Sequence, residues 1–141
     1  MSIKSYHAFK SYQAVDVSSE VASASPHKLV QMLFNFIVKN LTQAKLQIQR
    51  GDRIEKCNLI QKTLATLDVL RVSLDKESGG SLAENLESLY DYIERQLVVA
   101  NIKNDAAMID EALGLVGSIK SAWEQVAPPR TQVQAMRTGT A

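Results

Sequence analysis

The chain has a single cysteine, Cys57, in 141 residues. That excludes an intramolecular disulfide and a multi-cysteine metal site, and it fits a reducing cytosol. Proline is scarce, at three residues: Pro26, Pro128 and Pro129. Of six glycines, four (Gly51, Gly79, Gly80, Gly139) fall at apparent helix ends or in the tail. So few breakers suit a helical chain. No run approaches the ~18–20 apolar residues of a membrane span, so no membrane insertion is expected. The opening MSIKSYHAFKSYQAV has no continuous apolar core and does not read as a secretory signal. The formal net charge is only +1, which predicts no nucleic-acid partner.

Chemistry-bearing patterns are equally thin. The two histidines, His7 and His27, have no second ligand at metal spacing, and the Glu-x-x-His pattern of di-iron bundles is absent. No glycine-rich phosphate loop occurs. Asp91 with Glu94 or Arg95, and Asp110 with Glu111, lie opposite the apolar stripes and read as solvated faces. Cys57 lies in an apolar register and reads as a buried free thiol. His27 reads as a surface or capping histidine. Its position beside Lys28 leaves a phosphorylatable histidine as a weaker alternative. No catalytic residue, metal or cofactor is expected, and the chain does not read as an enzyme.

What the chain does have is helical periodicity. Hydrophobic residues make up 45% and charged residues 22% of it, as in an ordinary globular domain. In residues 85–123 and their flanks, two apolar stripes surround a polar break at 101–105. The first is Leu82, Leu86, Leu89 or Tyr90, Ile93, Leu97 and Ala100. The second is Ile109, Ala112 or Leu113, Val116, Ile119, Trp123 and Val126. Steps of three and four place each set on one helix face, and a short break favours antiparallel neighbours.

Upstream, Ser25-Pro26 is a helix start, and the helix runs to about Arg50, where Gly51 stops it. Its apolar residues cover more than one stripe, so it should be central or keep a face for a partner. Asp52 with Glu55 signals the next cap. That helix carries Ile54, Cys57, Ile60, Leu64, Leu67, Leu70 and Leu74, with Leu59 to the side. Ser81 with Glu84 repeats the capping signal for a third helix over about 82–102. Asn104 or Asp105 caps a fourth, ending near Val126 before Pro128-Pro129.

The prediction is an all-α, antiparallel up-down four-helix bundle over 21–127. A short N-terminal helical arm over 1–20 precedes it, with Ile3, Tyr6, Phe9, Tyr12 and Val15 at a strict spacing of three. A small, polar tail over 128–141 should be disordered. The arm either packs over one end of the bundle or forms a displaceable cover on a groove; the residues leave both open. Charge is unevenly spread: residues 1–50 carry a balance of +4, and 81–126 one of −5.

Several segments together resemble the flagellar secretion chaperones, the family dedicated to flagellin. Ala24-Ser25-Pro26-His27-Lys28-Leu29-Val30-Gln31-Met32-Leu33 is similar to the family's first-helix signature. Leu74-Asp75-Lys76-Glu77-Ser78-Gly79-Gly80 resembles the turn after its second helix. Asn85-Leu86, Leu89-Tyr90-Asp91-Tyr92, Leu97, Ala100-Asn101 and Asp105 resemble its third, and Ala122-Trp123 the end of its fourth. The resemblance spans about residues 9–127.

It implies a cytoplasmic bundle that holds flagellin's disordered C-terminal segment, prevents premature polymerisation and supports delivery to the flagellar type III export apparatus. It also implies a client that wraps along the bundle, and an arm lying over part of that surface when no client is bound. Tyr12 stands where the family has a tyrosine implicated in client binding, and Phe9 where it has an apolar partner. The candidate contact residues are Phe9, Tyr12 and Val15 in the arm, Leu33, Phe36 and Ile37 in the first long helix, and Tyr90 and Tyr92 in the third. One departure stands out. After Met32-Leu33 the family commonly has an aromatic, an acidic residue and glycine, whereas Phe34-Asn35-Phe36 follows here, so groove shape near Phe36 should differ. The remaining alternatives are a histidine phosphotransfer-like bundle and a homo-oligomeric structural protein; weak dimerisation of the free chain also stays open.

Overall fold

A computed structural model describes residues 24–126. They form four helices: α1 (Pro26–Arg50), α2 (Arg53–Val72), α3 (Lys76–Lys103) and α4 (Ala106–Gln125). No strand occurs among the described residues. Each helix lies against its sequence neighbour, and α4 closes back on α1. This is the up-down-up-down ring that short connections favour. The expected arm and tail lie outside the described residues.

Local chemistry sets the helix ends. Ser25 Oγ accepts from Lys28 N at 3.2 Å, and Pro26 occupies the first helical position. Gly51 stops α1 at φ 78°, a left-handed conformation in which a side chain is strained. Gly51 N donates to Ile48 O and Asp52 N to Gln47 O, which satisfies two of the terminal carbonyls in a Schellman pattern. Asp52 then caps α2 by accepting from Glu55 N at 3.0 Å. Asn104 ends α3 in the left-handed region, and Asp105 caps α4 through Ala107 N and Met108 N.

The start of α3 departs from the sequence expectation. Asp75, not Ser81, is its cap, accepting from Ser78 N at 3.0 Å. One turn follows, and then Gly80, at φ 52° and ψ −129°, kinks the chain before the long helical run. The sequence signal at Ser81 therefore marks where the straight part resumes.

The core joins Phe34, Ile37, Leu41 and Ala44 of α1 to Leu59, Ile60, Leu67 and Leu70 of α2. Tyr90, Ile93, Leu97 and Ala100 of α3 and Ile109, Ala112 and Val116 of α4 complete it. Both stripes of the α3–α4 hairpin face inward along most of their length. Their outermost members do not: Leu82 is 65% exposed, and Val126 is exposed too.

In α2 the stripe is buried at Ile60, Leu67 and Leu70, and the buried face extends beyond it to one side. Ile54 is 78% exposed, while Leu59, Thr63 and Thr66 are buried. The threonine hydroxyls donate to carbonyls one turn back, Leu59 O at 3.0 Å and Lys62 O at 2.8 Å, so they enter the core without an unpaired donor. A reading based on hydrophobic residues alone finds Ile60, Leu67 and Leu70 but misses the polar part of the buried face.

Candidate partner-binding surface

The sequence-derived contact residues separate into inner and outer groups. Ile37 and Tyr90 belong to the core; burial pushes the Tyr90 hydroxyl up to about 12. A partner docking on the closed bundle does not reach them. Leu33 and Phe36 are half-buried on a flank of α1 that continues through Leu29 and Met32. Leu29, Leu33 and Phe36 follow the i, i+4, i+7 spacing of one flank.

The side of α1 on which that flank lies follows from helix geometry. His27 and Lys45 both reach α4, through Trp123 and Asp110. Phe36 stands midway between them in sequence, nine residues or about two and a half turns from each. It therefore points away from α4, to the outer side of the α1–α2 seam.

Tyr92 lies on the other side of the ring. It is 42% exposed, and its hydroxyl donates to Glu111 Oε1 at 2.8 Å across the α3–α4 seam. Gln96 Nε2 donates to the second oxygen of the same carboxylate at 2.8 Å. The Tyr92 hydrogen bond to Glu111, and the negative charge of that carboxylate, raise the Tyr92 hydroxyl above its ordinary range. The structure therefore does not bring Phe36 and Tyr92 into one groove. Phe9, Tyr12 and Val15 lie outside the described residues.

None of α1's large apolar side chains is exposed, although its surplus predicts either a central helix or a face kept for a partner. The exposed ones are Ile54 and Val72 on α2, Leu82, Tyr92, Val98 and Ile102 on α3, and Val126 after α4.

His27 is buried, not a surface cap. Its ring stacks on Trp123 with centroids 4.8 Å apart and planes 15° from parallel. Nε2 lies 3.0 Å from Trp123 O, and because a carbonyl only accepts, Nε2 carries the proton. Trp123 Nε1 returns a bond to His27 O at 3.1 Å. This clasp ties the start of α1 to the end of α4. A phosphoryl acceptor must offer a ring nitrogen to solvent, so the geometry speaks against phosphotransfer through His27. Cys57 is half-buried, with Sγ donating to Asn101 Oδ1 at 3.3 Å. No cluster of three or more potential metal ligands occurs among the described residues.

Two polar arrangements had no local sequence signal. Lys56 is only 2% exposed, yet its ammonium donates to Asn101 O at 2.7 Å and to Asn104 Oδ1. It caps the C-terminal end of α3, where the helix dipole favours a cation. On the same seam, Arg71 of α2 meets Asp91 and Glu94 of α3. Both depend on how two helices are rotated against each other.

The fold places the protein among antiparallel four-helix bundles, and its candidate surface consists of apolar and hydrogen-bonding contact residues. Comparison with known proteins narrows the class. The family model for flagellar protein FliS matches residues 8–130. The flagellar secretion chaperone FliS of Salmonella typhimurium is 43% identical over 120 residues, covering 84% of this chain and 89% of the relative. That of Vibrio cholerae is 38% identical over 132 residues, covering 94% and 97%. FliSB of Pseudomonas aeruginosa is 40% identical over 119 residues, covering 84% and 94%. The chain belongs to the FliS family of flagellar secretion chaperones.

Proposed function

We propose that this protein is a cytoplasmic, non-enzymatic export chaperone. It binds the disordered C-terminal segment of flagellin, keeps it from polymerising early and supports its delivery to the flagellar type III export apparatus. The observation that carries this reading is the match to secretion chaperones over nearly the whole chain. Apolar contact residues on two sides of the bundle suit a client that folds as it binds. Such a client can cover ~1,000–3,000 Å², at an ordering cost of ~2–5 kcal/mol or more. The mode is helix-in-groove, with client anchors at helical spacing.

Calorimetric titration with a flagellin C-terminal peptide tests the proposal. Micromolar or tighter binding with a strongly negative heat-capacity change is expected. Phe36→Ala should weaken binding by about tenfold, or ~1.4 kcal/mol, if the α1 flank is a central contact. No binding by the wild-type chain would sink the client assignment. Binding that Phe36→Ala leaves unchanged would remove the α1 flank from the contact surface and keep the assignment.

A further inference from the structure

The α2–α3 seam holds an arrangement that client binding does not account for. One guanidinium, that of Arg71, serves three carboxylates. It lies 2.8 Å from Asp91 and 3.5 Å from Asp68, and it also bonds Glu94. With every group ionised the cluster would carry two surplus negative charges, at a seam that is partly shielded from water. Glu94 Oε1 is buried and has no hydrogen-bond partner, and Asp68 lies against the same Arg71 guanidinium as Glu94. A buried carboxylate oxygen with no donor is costly. A proton on Glu94 reduces that cost and removes one of the surplus charges.

We propose that Glu94 holds a proton at neutral pH, and that this proton is a pH-sensitive latch on the α2–α3 seam. Burial first, and then the Asp68 carboxyl, push Glu94 up to about 7 against the pull of Arg71. Arg71 stays charged in either state. Burial works against its charge, but the three carboxylates together hold it above its ordinary range. The groups facing Glu94 are Asp68 and Arg71 from α2, with Asp91 of its own helix acting through Arg71. Among the described residues, neither α1 nor α4 places a charged side chain in ion-pair contact with it.

The sign of the pH dependence follows. A carboxyl raised in the folded state binds its proton more tightly there than in the unfolded chain. Its contribution is complete below the ordinary value of 4.5 and is lost as pH rises through about 7. Above that, Asp68 and Glu94 face each other as like charges and the seam loosens.

The test uses the full chain. Thermal unfolding is followed from about pH 5 to about pH 8 for the wild type, Glu94→Gln and Asp68→Asn. The wild-type midpoint should fall by several degrees more over this range than that of Glu94→Gln, which mimics the protonated acid. Near pH 8 the variant should match or exceed the wild type. Parallel curves, with Glu94→Gln lower at every pH, would overturn the latch in favour of an ordinary ionised pair. Carbon NMR of the Glu94 carboxyl decides the question in the wild type even if a variant does not fold. A midpoint near neutrality is expected, moved down by about one unit or more in Asp68→Asn. An ordinary carboxylate midpoint in the wild type refutes the proposal.

Discussion

The His27–Trp123 clasp offers the sharpest measurement of what closes the ring. The two residues stand 96 positions apart and make three contacts: a stacked ring pair and two reciprocal side-chain-to-backbone hydrogen bonds. Stacked aromatic pairs contribute ~0.5–1.5 kcal/mol beyond burial. Each hydrogen bond adds ~0.5–1.5 kcal/mol net. Because Trp123 is half-buried, Trp123→Ala should cost less than the ~3–5 kcal/mol of a fully enclosed tryptophan, about 2–3 kcal/mol. His27→Ala should cost about 1–2 kcal/mol, mainly through the lost stack and the lost Nε2 bond.

Since both changes break the ring stack, while each removes only its own bond to the other's backbone carbonyl, the double variant should be less damaged than the sum, with a coupling of about 0.5–1.5 kcal/mol. Urea unfolding at one temperature, with slopes checked for equality, gives all three values. Trp123→Phe keeps a ring for the stack and removes only the indole donor, so about 1 kcal/mol is expected from it. Single-variant costs that add to within ~0.3–0.5 kcal/mol would show that the two residues stabilise the bundle independently, and the clasp reading would be wrong.

Two glycines in the helical hairpin should respond in opposite directions. Gly80 takes φ 52° and ψ −129° at the kink of α3, a region nearly closed to side chains, so Gly80→Ala should destabilise by about 1–3 kcal/mol. A urea midpoint that does not move would show that the kink relaxes into an ordinary helix. Gly114 lies within α4, on the surface, with nothing within 4 Å of an added Cβ. Gly114→Ala should therefore raise stability by about 0.5–1 kcal/mol, and a lowered midpoint would show that the position needs its glycine for another reason.

How far the sequence reaches depends on whether a feature is local. Ser25-Pro26, Gly51, Asp52 and Asp105 act within four residues of themselves, and each forms the terminus its chemistry predicts. The stripes of α3 and α4 are also legible, because apolar residues fill almost every inward position. The face of α2 is legible only in part, at Ile60, Leu67 and Leu70, because Lys56, Thr63 and Thr66 also occupy inward positions and find their partners only in the folded chain. The clasp and the Arg71 cluster depend on helix rotation, which no spacing within one helix encodes.

The contact surface shows the same limit at its finest scale. Phe36 and Ile37 are adjacent in sequence and alike in hydropathy, yet successive helical residues are about 100° apart, and that angle separates a flank from the core. Tyr90 and Tyr92 divide in the same way, two residues and more than half a turn apart on α3. With the inner pair removed, Phe36 remains on the outer α1–α2 side and Tyr92 on the outer α3–α4 side. A compact partner seated in one groove meets one of them. A partner that meets both has to pass around the bundle, which requires an extended, adaptable chain. If such a client binds, Phe36→Ala and Tyr92→Ala should act additively on affinity, since the two side chains lie on different outer sides of the bundle. A strong coupling between them would mean that they meet the same folded piece of the client.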